Sequence, residues 1–421
     1  MRLLLFLLFW FLYFPLLRIL TFILSANSKI ASRIRFEKKN KFEARAQSFK
    51  DYKQVADICF EVSSEGEFQQ VAPLIDDLLG AGKKVELVFF SPSVEKTIMK
   101  LGARYPEQLR YFRYPVLRLF PFIERRSFTH WVTAKTLVMV RYDLFPEFLL
   151  WGMKKGNKLR LVWFTFKKER SRNKNPSIWK KLFLKFSDVV VYAGEKDLKV
   201  GESLNFPGHF FDFRIEQIRR RMLKKEEKFK ELFPLYPEFS SHLSLYQQDQ
   251  KIIMGNAWPS DLFLLKSIPK ETLVVIVPHS LNEEIMKLFR EYLDLMGREF
   301  FELNEHSESF RAANTFLVNK KGILCELYSD FDFAYVGGGF EGSIHSVLEP
   351  LISGSLRISC GPFHHRSTEY DIAEEWGRIS EVNTPEQFLS WLNEPHIQED
   401  HDKIASLVSD YAQFREFVAS C

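Results

Sequence analysis

Short apolar stretches alternate with longer amphipathic ones along most of the chain, and no other feature restricts its fold as strongly. Five stretches in the first half have the length and composition of buried strands: VADICFEV, KVELVFFS, TLVMVRYD, LRLVWFTF and DVVVYAG. Between the first two lies FQQVAPLIDDLLGAG, whose apolar spacing predicts a helix that ends at glycine. Strands that alternate with helices form parallel βαβ units, so the sequence predicts an α/β fold built on a parallel sheet.

The alternation is interrupted once and then begins again. RIEQIRRRMLKKEEKFKELF is predicted as a charged helix and PLYPEFSSHLSLYQQDQ as irregular. The predicted strands beyond them are KIIMGNA, TLVVIVP, EFFEL, TFLVN, FAYVGGG and LRISCGP. A chain of 421 residues is also too long for one compact core. We therefore predict two Rossmann-like, doubly wound domains that face a cleft. The N-terminal domain is predicted at 29–215, the linker at 216–250, and the C-terminal domain with terminal helices at 251–421.

Residues 1–28 are predicted to form an N-terminal membrane anchor. Their apolar run from Leu3 to Leu24 carries a charge only at Arg18 and is long enough to cross a bilayer as a helix. Eight lysines and arginines against two glutamates follow at 29–50, a pattern typical of the cytoplasmic side of a membrane with anionic lipid. The alternative is a cleaved signal peptide, because small residues in LSANS follow the run.

The composition excludes several classes of protein. Hydrophobic residues make up 46% of the chain and charged residues 27%, which is the balance of a folded protein. Arginines and apolar residues mix between 113 and 128, which fits either a surface lying on anionic lipid or a solvated charged face. No RNA-binding motif accompanies them, so we expect no nucleic-acid partner. Four scattered cysteines argue against a disulfide framework or structural zinc.

The stretch YVGGGFEGSIHSVLEP, residues 335–350, places four glycines between a predicted strand and a predicted helix. Glycine lets backbone amides approach a phosphate closely, and the amino end of a helix favours negative charge. In a doubly wound sheet, such a loop at the carboxyl end of a strand is the usual place for a ligand. The alternative is a tight turn with close packing of strand and helix.

Three stretches together resemble the Kdo transferases of lipopolysaccharide synthesis, which join 3-deoxy-D-manno-octulosonic acid (Kdo) to lipid A precursors. They are AYVGGGFEGSIHSVLEPLISG with CGP, GNAWPSD followed by VPHS, and ICFEVSSEGEFQQVAPLI. The resemblance implies a glycosyltransferase B fold, anchored in the inner membrane with its catalytic part cytoplasmic. It also implies inverting transfer from a CMP-Kdo donor to a lipid A precursor at an anionic membrane surface, without a metal or other cofactor.

The sequence departs from the pattern of this family at three informative positions. Glu61 stands where the family has histidine, and Ser346 where it has asparagine. Arg141, in RYDLFP, reverses the charge of an acidic family motif. Two of the three lie in the N-terminal half, the acceptor side, and therefore leave the acceptor open. The alternatives are a related transferase with another sugar or lipid, and a non-catalytic relative that binds nucleotide or lipid at the membrane.

Inverting sugar transfer needs a base that takes the proton of the attacking hydroxyl. The resemblance implies that Glu67, in SSEGE after the first predicted strand, is this catalytic base. It also implies that Ser64 and Gly66 contact the sugar or acceptor. The alternatives are helix capping by Ser64 and Glu67 and an ordinary loop glycine at Gly66.

The departing nucleotide needs groups that hold its phosphate and ribose. By the resemblance, the C-terminal half supplies nine donor-binding residues: His279, Gly337, Gly338, Gly339, Gly342, Ser343, His345, Glu349 and Arg366. We expect His345 and Glu349, four residues apart, to share one helix face and both reach the ligand. A structural histidine and a surface glutamate are the alternatives for these two.

The acidic sequence DFD at 330–332 has the pattern of a DxD motif. In another large glycosyltransferase fold, such a motif holds a metal-bound nucleotide. Here it precedes a strand that runs directly into glycines. Placement at the edge of a strand is the favoured interpretation, and no metal site is predicted.

Overall fold

The computed structural model describes most of the chain after the first residues. The described residues are 4, 12, 14–39, 54–114, 128–141, 144–166, 169, 174–304, 311–355, 357–365, 367–394, 411–412, 414–416 and 418. The chain divides into two compact units, one formed by Met1–Arg214 with Ser409–Cys421 and the other by Ile215–Val408.

The first unit contains a parallel sheet of seven strands in the order β3-β2-β1-β4-β5-β6-β7. The strands are β1 (Ile58–Val62), β2 (Val85–Phe89), β3 (Leu109–Arg113), β4 (Thr136–Val140), β5 (Lys158–Phe164), β6 (Val189–Tyr192) and β7 (His209–Phe210). The chain extends the sheet to one side of β1 through β2 and β3, and then to the other side from β4 onward. The direction of winding therefore reverses between β1 and β4, which is where doubly wound sheets bind ligands.

The second unit repeats this plan with a seven-stranded parallel sheet in the order β10-β11-β9-β8-β12-β13-β14. Its strands are β8 (Lys251–Ala257), β9 (Leu273–Pro278), β10 (Phe301–Asn304), β11 (Thr315–Asn319), β12 (Phe333–Val336), β13 (Arg357–Cys360) and β14 (Ile379–Glu381). Here the winding reverses between β8 and β12. The predicted α/β class with two doubly wound parallel sheets is confirmed.

Helices follow most of the strands and cover the sheets. In the first unit they are Phe14–Ile23, Ser28–Lys39, Glu65–Gly80, Glu95–Arg104, Phe128–Trp131, Pro146–Gly152, Ile178–Phe186 and Glu195–Ser203. From the unit boundary onward they are Arg214–Leu223, Lys225–Leu232, Tyr236–Leu243, Glu283–Leu295, Leu324–Leu327, Leu348–Ser353, Thr368–Glu375 and Pro385–Leu392. Short 3₁₀ helices occupy Leu24–Ala26, Gln248–Gln250, Pro259–Ser267 and Tyr328–Asp330.

Both sheets are buried on their two faces, which explains why their strands are continuously apolar. Alternate residues of β1 belong to different cores, with Cys59 in one and Phe60 in the other. In β8, Ile252 and Ile253 are divided in the same way. Parallel strands covered by helices on each face lack the alternating polar pattern of half-exposed sheets. The central strands could therefore be located from composition alone.

The segment predicted as a linker, 216–250, folds as helices that pack into the second unit. Its phenylalanines at 229, 233 and 239 are buried in the same core as Val275 of β9 and Phe316 of β11. Part of the charge of this segment is paired inside the same unit, since Arg221 and Lys228 bind Glu326 and Lys225 binds Asp330. The correction is that this segment is part of the second unit's core.

The end of the chain was predicted as part of the C-terminal domain, but Ser409–Cys421 groups with the first unit. Phe414 stacks on Phe211 with ring centroids 4.9 Å apart. The hydroxyl of Tyr411 donates to Asp77 over 2.7 Å, and the carbonyl of Val418 accepts from Arg160. These contacts hold the last helical residues on the N-terminal sheet.

The predicted anchor at 1–28 is described only at Leu4, Leu12 and residues 14–28. Several apolar side chains there are exposed, among them Leu16, Ile19, Phe22 and Ile23. Among the described residues, no helix is both long enough and apolar enough to cross a membrane.

Candidate active site

The turn between β1 and the helix Glu65–Gly80 holds the carboxylate of Glu67 in a fixed position. Its Oε2 atom accepts a hydrogen bond from the amide of Ser63 over 2.6 Å, and the side chain is buried. Glu67 therefore lies at the carboxyl end of β1, as predicted, next to the reversal point between β1 and β4. The structure also shows why it is held: its carboxylate closes the turn that starts the helix.

Ser63, which sequence reasoning did not select, lies between two carboxylates. Its amide donates to Glu67, and its hydroxyl donates to Oε1 of Glu61 over 3.3 Å. Glu61 is fully buried in β1. Glu61, which departs from the family pattern, is therefore a second acidic group that binds the same serine as the candidate base Glu67.

Ser64 and Gly66 complete this turn in different ways. Ser64 is the N-cap of the helix, and its hydroxyl accepts from the amide of Glu67 over 3.4 Å. These contacts agree with the alternative that Ser64 caps the helix. Gly66 is exposed in the first helical turn, and an added Cβ would meet no atom within 4 Å. Nothing in the described protein therefore requires glycine at this position.

In the second unit, three rings from separate motifs form one stack at the carboxyl ends of β8, β9 and β12. Trp258 and His279 stack with centroids 5.0 Å apart, and His279 and His345 with centroids 4.0 Å apart. The indole Nε1 of Trp258 also donates to Nε2 of His345 over 3.4 Å. His279 and His345, both expected to bind the donor, thus lie against each other. Trp258 was part of a quoted motif but was not chosen as a site residue.

Both histidines of the stack are neutral at pH 7. Burial lowers the pKa of His279. Burial, and after it the neighbouring His279, lower the pKa of His345 to about 4, although Glu369 acts in the opposite direction. The stack can therefore supply ring surfaces and hydrogen bonds to a ligand, but no positive charge.

The three consecutive glycines are needed for packing. A Cβ at Gly337 would lie 2.2 Å from the carbonyl oxygen of Asn256, and a Cβ at Gly339 would lie 2.5 Å from the backbone of Gly361. Gly338 has φ of +92°, and its Cβ would lie 2.5 Å from the carbonyl oxygen of Ser343. The close-packing alternative therefore accounts for all three glycines.

Several amides of the glycine loop remain suitable for binding an anion. In the described part of the chain, the amides of Gly339, Phe340 and Ser343 make no hydrogen bond to a protein group. Gly342 and Ser343 are exposed, and a Cβ at Gly342 would meet no atom within 4 Å. These amides are therefore available to donate to a phosphate or another anion.

The helix after the loop differs from the prediction. It begins at Leu348, so His345 precedes it and does not share a helix face with Glu349. Its first amides are already occupied, because Oε2 of Glu369 accepts from the amides of Val347 and Leu348 and from the hydroxyl of Ser346. A carboxylate from a distant part of the chain therefore occupies the positive end of this helix.

Glu349 forms an ion pair with a residue that sequence reasoning missed. Its Oε1 atom lies 3.0 Å from Nη1 of Arg221, which also binds the buried Glu326 through Nε at 3.0 Å. Burial raises the pKa of the Glu349 carboxyl, and Arg221 opposes that rise. The charged head of Glu349 is about a quarter exposed, with 23% of its side chain accessible, so it retains some contact with solvent.

Asp261, from the motif GNAWPSD, connects the ring stack with the glycine loop. Its Oδ2 atom accepts from the amides of Trp258, at 2.7 Å, and Gly338, at 3.4 Å. Its Oδ1 atom accepts from the hydroxyl of Tyr335 over 2.7 Å. Burial raises the pKa of Asp261 to about 6, although these donors oppose the rise.

Two other predicted features are only partly visible. Arg366 lies outside the described residues. In the DFD sequence, Asp330 is held by Lys225 at 2.6 Å and by the hydroxyl of Tyr236. The described residues contain no group of three or more histidine, cysteine, aspartate or glutamate side chains that could hold a metal ion.

Comparison with curated proteins confirms the resemblance inferred from the motifs. The chain is 32% identical over 128 residues to a 3-deoxy-D-manno-octulosonic acid transferase of Chlamydia trachomatis serovar A. It is 29% identical over 140 residues to the protein of the same name from Chlamydophila psittaci. These matches cover 29% and 31% of this chain and 29% and 30% of the relatives, so the chain matches less than a third of their length. No family model matches the chain.

Among solved structures, similarity is limited to the general fold. The C-terminal CMP-Kdo binding domain of WaaA from Acinetobacter baumannii is 14% identical, with a TM-score of 0.31 over 48% of this chain and 95% of that domain. The UDP-GlcNAc 2-epimerase from Neisseria meningitidis is 13% identical, with a TM-score of 0.48 over 86% of this chain and 94% of that one.

Proposed function

We propose that this chain is an inverting glycosyltransferase of the Kdo transferase family, of glycosyltransferase B type. Its donor is CMP-Kdo, and its acceptor is a hydroxyl of a lipid A precursor. The observation that carries the proposal is where the family-like motifs lie. They lie at the carboxyl ends of β1 in one unit and of β8, β9 and β12 in the other, which are the strand ends where doubly wound sheets bind ligands.

In this proposal Glu67 is the general base. The acceptor hydroxyl gives its proton to the Glu67 carboxylate while its oxygen bonds to the anomeric carbon of Kdo. The bond from that carbon to the CMP phosphate breaks, and CMP leaves with the electron pair. The hydrogen bond from Ser63 supports this role, because it fixes one carboxylate oxygen without neutralising the group.

The nucleotide is assigned to the second unit. The amides of Gly339, Phe340 and Ser343 can donate to the phosphate, and the exposed ring of His279 can contact the nucleotide. Glu349 can accept from the ribose hydroxyls once Arg221 has set its position. Because both histidines of the stack are neutral, stabilisation of the leaving phosphate must come from the amides and from cations outside the stack.

We also propose that residues 1–28 attach the protein to the cytoplasmic face of the inner membrane, where a lipid acceptor resides. The apolar run and the basic segment after it support this location, and so do the exposed apolar side chains at 16–24. No cofactor is proposed.

A transferase with another sugar or another lipid acceptor is the second candidate. Arg141 favours it, since a cation at the carboxyl end of β4, the strand next to β1, changes which acceptor fits there. One experiment separates the two candidates. The full-length protein in detergent is incubated with CMP-Kdo and a tetra-acylated lipid A precursor, and the lipid is weighed by mass spectrometry. Addition of one or more Kdo units supports the first candidate. An unchanged lipid excludes it.

A further inference from the structure

Arg141 lies at the same sheet edge as the candidate base. It directly follows β4, whose Met139 pairs with Glu61 of β1. Arg141 and Ser63 each follow directly on the last residue of one of these two adjacent strands, so both lie at the carboxyl ends of the pair. Ser63 is the residue that donates to Glu67, so Arg141 and the candidate base follow adjacent strands at the reversal point between β1 and β4.

The backbone at this edge is strained in two adjacent places. Arg141 has φ of +72° and Trp163, at the end of β5, has φ of +58°. The amide of Arg141 donates to Val162 over 3.0 Å, which joins the two strained segments. Left-handed backbone is uncommon for residues other than glycine, and especially for bulky ones such as arginine and tryptophan. Such outliers concentrate at ligand-binding and catalytic positions.

The strained backbone brings the Arg141 guanidinium onto an aromatic ring. Its Cζ atom lies 4.0 Å from the centroid of the Trp163 ring. Arg214 approaches the same ring at 4.6 Å, but Asp212 neutralises it through a contact of 2.9 Å and also accepts from the Trp163 indole over 3.1 Å. A stacked guanidinium presents its N–H groups in one plane, the geometry that matches a phosphate or carboxylate.

We propose that Arg141 binds an oxyanion of the substrate beside Glu67. This inference rests on the proposed function, which supplies two sources of that oxyanion. One is a phosphate of the glycolipid acceptor, and the other is the carboxylate of the Kdo donor. Arg141 thereby determines which anionic substrate is aligned with the base.

The test uses the full-length protein in detergent with two substitutions of Arg141. Arg141→Asn removes the charge but keeps a residue that tolerates left-handed backbone, and Arg141→Lys keeps the charge. The control is Lys83→Gln, which removes a half-exposed cation before the amino end of β2, at the opposite end of the sheet from Arg141. Thermal unfolding of all three variants should stay close to that of the parent.

We expect Arg141→Asn to raise KM for a bisphosphorylated lipid A precursor at least tenfold, while Arg141→Lys and the control stay near the parent. With the precursor dephosphorylated, parent and Arg141→Asn should have equal KM values. A rise in KM for CMP-Kdo instead would still support the oxyanion site and assign it to the sugar carboxylate. Changes below twofold in both KM values would overturn the inference.

A binding measurement separates this inference from the proposed reaction. Calorimetric titration of the bisphosphorylated precursor, and of its dephosphorylated form, needs no turnover. If the parent transfers no sugar but prefers the phosphorylated lipid, and Arg141→Asn loses that preference, the oxyanion site stands although the reaction is wrong. Equal affinities of parent and Arg141→Asn for the phosphorylated lipid, together with an unchanged KM for CMP-Kdo, would reject the site.

Discussion

The imidazole rings of His279 and His345 are stacked, with centroids 4.0 Å apart and planes 19° apart. The first ring follows β9 and the second follows β12, so the stack connects the two strands that flank β8 in the sheet. Burial opposes protonation of either ring, and charging both rings would place two cations in direct contact. The contact therefore makes the second unit sensitive to acid.

The first prediction concerns this acid sensitivity. The pKa of His345 is lowered from about 6.5 in the unfolded chain to about 4 in the fold. The folded state resists protonation, so the contribution of His345 to stability is complete above pH 6.5 and is lost as pH falls towards 4. At pH 5 we expect a loss of about 1 kcal/mol, after allowing for the partial exposure of the ring.

The measurement is urea unfolding of the parent and His345→Gln at pH 7.5 and pH 5. Glutamine keeps an acceptor for Trp258 but does not titrate. Asp261 acts in the opposite direction, because its pKa is raised to about 6 and its contribution to stability is lost as pH rises. Both proteins contain Asp261, so its effect largely cancels in the comparison. Equal changes in stability for the two proteins would show that His345 is not protonated differently in the fold.

The second prediction separates the role of Gly66 from simple helix propensity. Gly66→Ala should stabilise the protein by about 0.5–1 kcal/mol, since the site is helical and a Cβ meets no atom there. It should nevertheless reduce kcat/KM, because we expect the sugar to lie against this position. Gly80→Ala is the matched control: it lies at the other end of the same helix, where a Cβ is equally unobstructed. Equal activity of the two variants would remove Gly66 from the site.

The third prediction concerns the ribose. Glu349→Gln should weaken CMP binding by about 1.5–3 kcal/mol, the usual range for hydrogen bonds to a charged group. Arg221 keeps its contacts with Glu326 in this variant, so the fold should persist. Glu302→Gln serves as the control. Glu302 lies on the edge strand β10, and the substitution breaks its ion pair with Arg290. Calorimetric titration of CMP that finds the same affinity in Glu349→Gln and the parent would contradict the assignment.

The central strands could be predicted from the sequence because each is a continuous apolar run covered on both faces. The edge strands β3, β7 and β14 were not among the predicted strands. They are two to five residues long, and only some of their side chains are buried. Composition distinguishes such segments poorly from loops. Residues 216–250 were assigned to a linker because their charged residues outnumber the few phenylalanines that pack into the core.

The residues of the candidate site could be predicted only where they belong to a recognisable sequence motif. Glu67 and His279 follow strands as predicted, whereas His345 lies in the loop after β12 and not on the predicted helix face. The contacts that position the second unit's site come from distant parts of the chain, as with Arg221 against Glu349 and Glu369 against the helix at Leu348. Such pairs leave no local pattern. The glycines were also ambiguous, because close packing and phosphate binding both favour glycine.

The most direct test of the account compares Kdo transfer by the parent, Glu67→Gln and Glu65→Gln in one assay. Glu65 lies two residues from Glu67 in the same helical turn, and its carboxylate accepts from Gln69 and Thr97. Initial rates of Kdo addition to the lipid A precursor are measured by mass spectrometry at saturating CMP-Kdo. We predict that Glu67→Gln loses ~10²-fold or more in turnover. Both variants should bind CMP with the affinity of the parent. Transfer by Glu67→Gln within a factor of two of the parent would contradict the central claim.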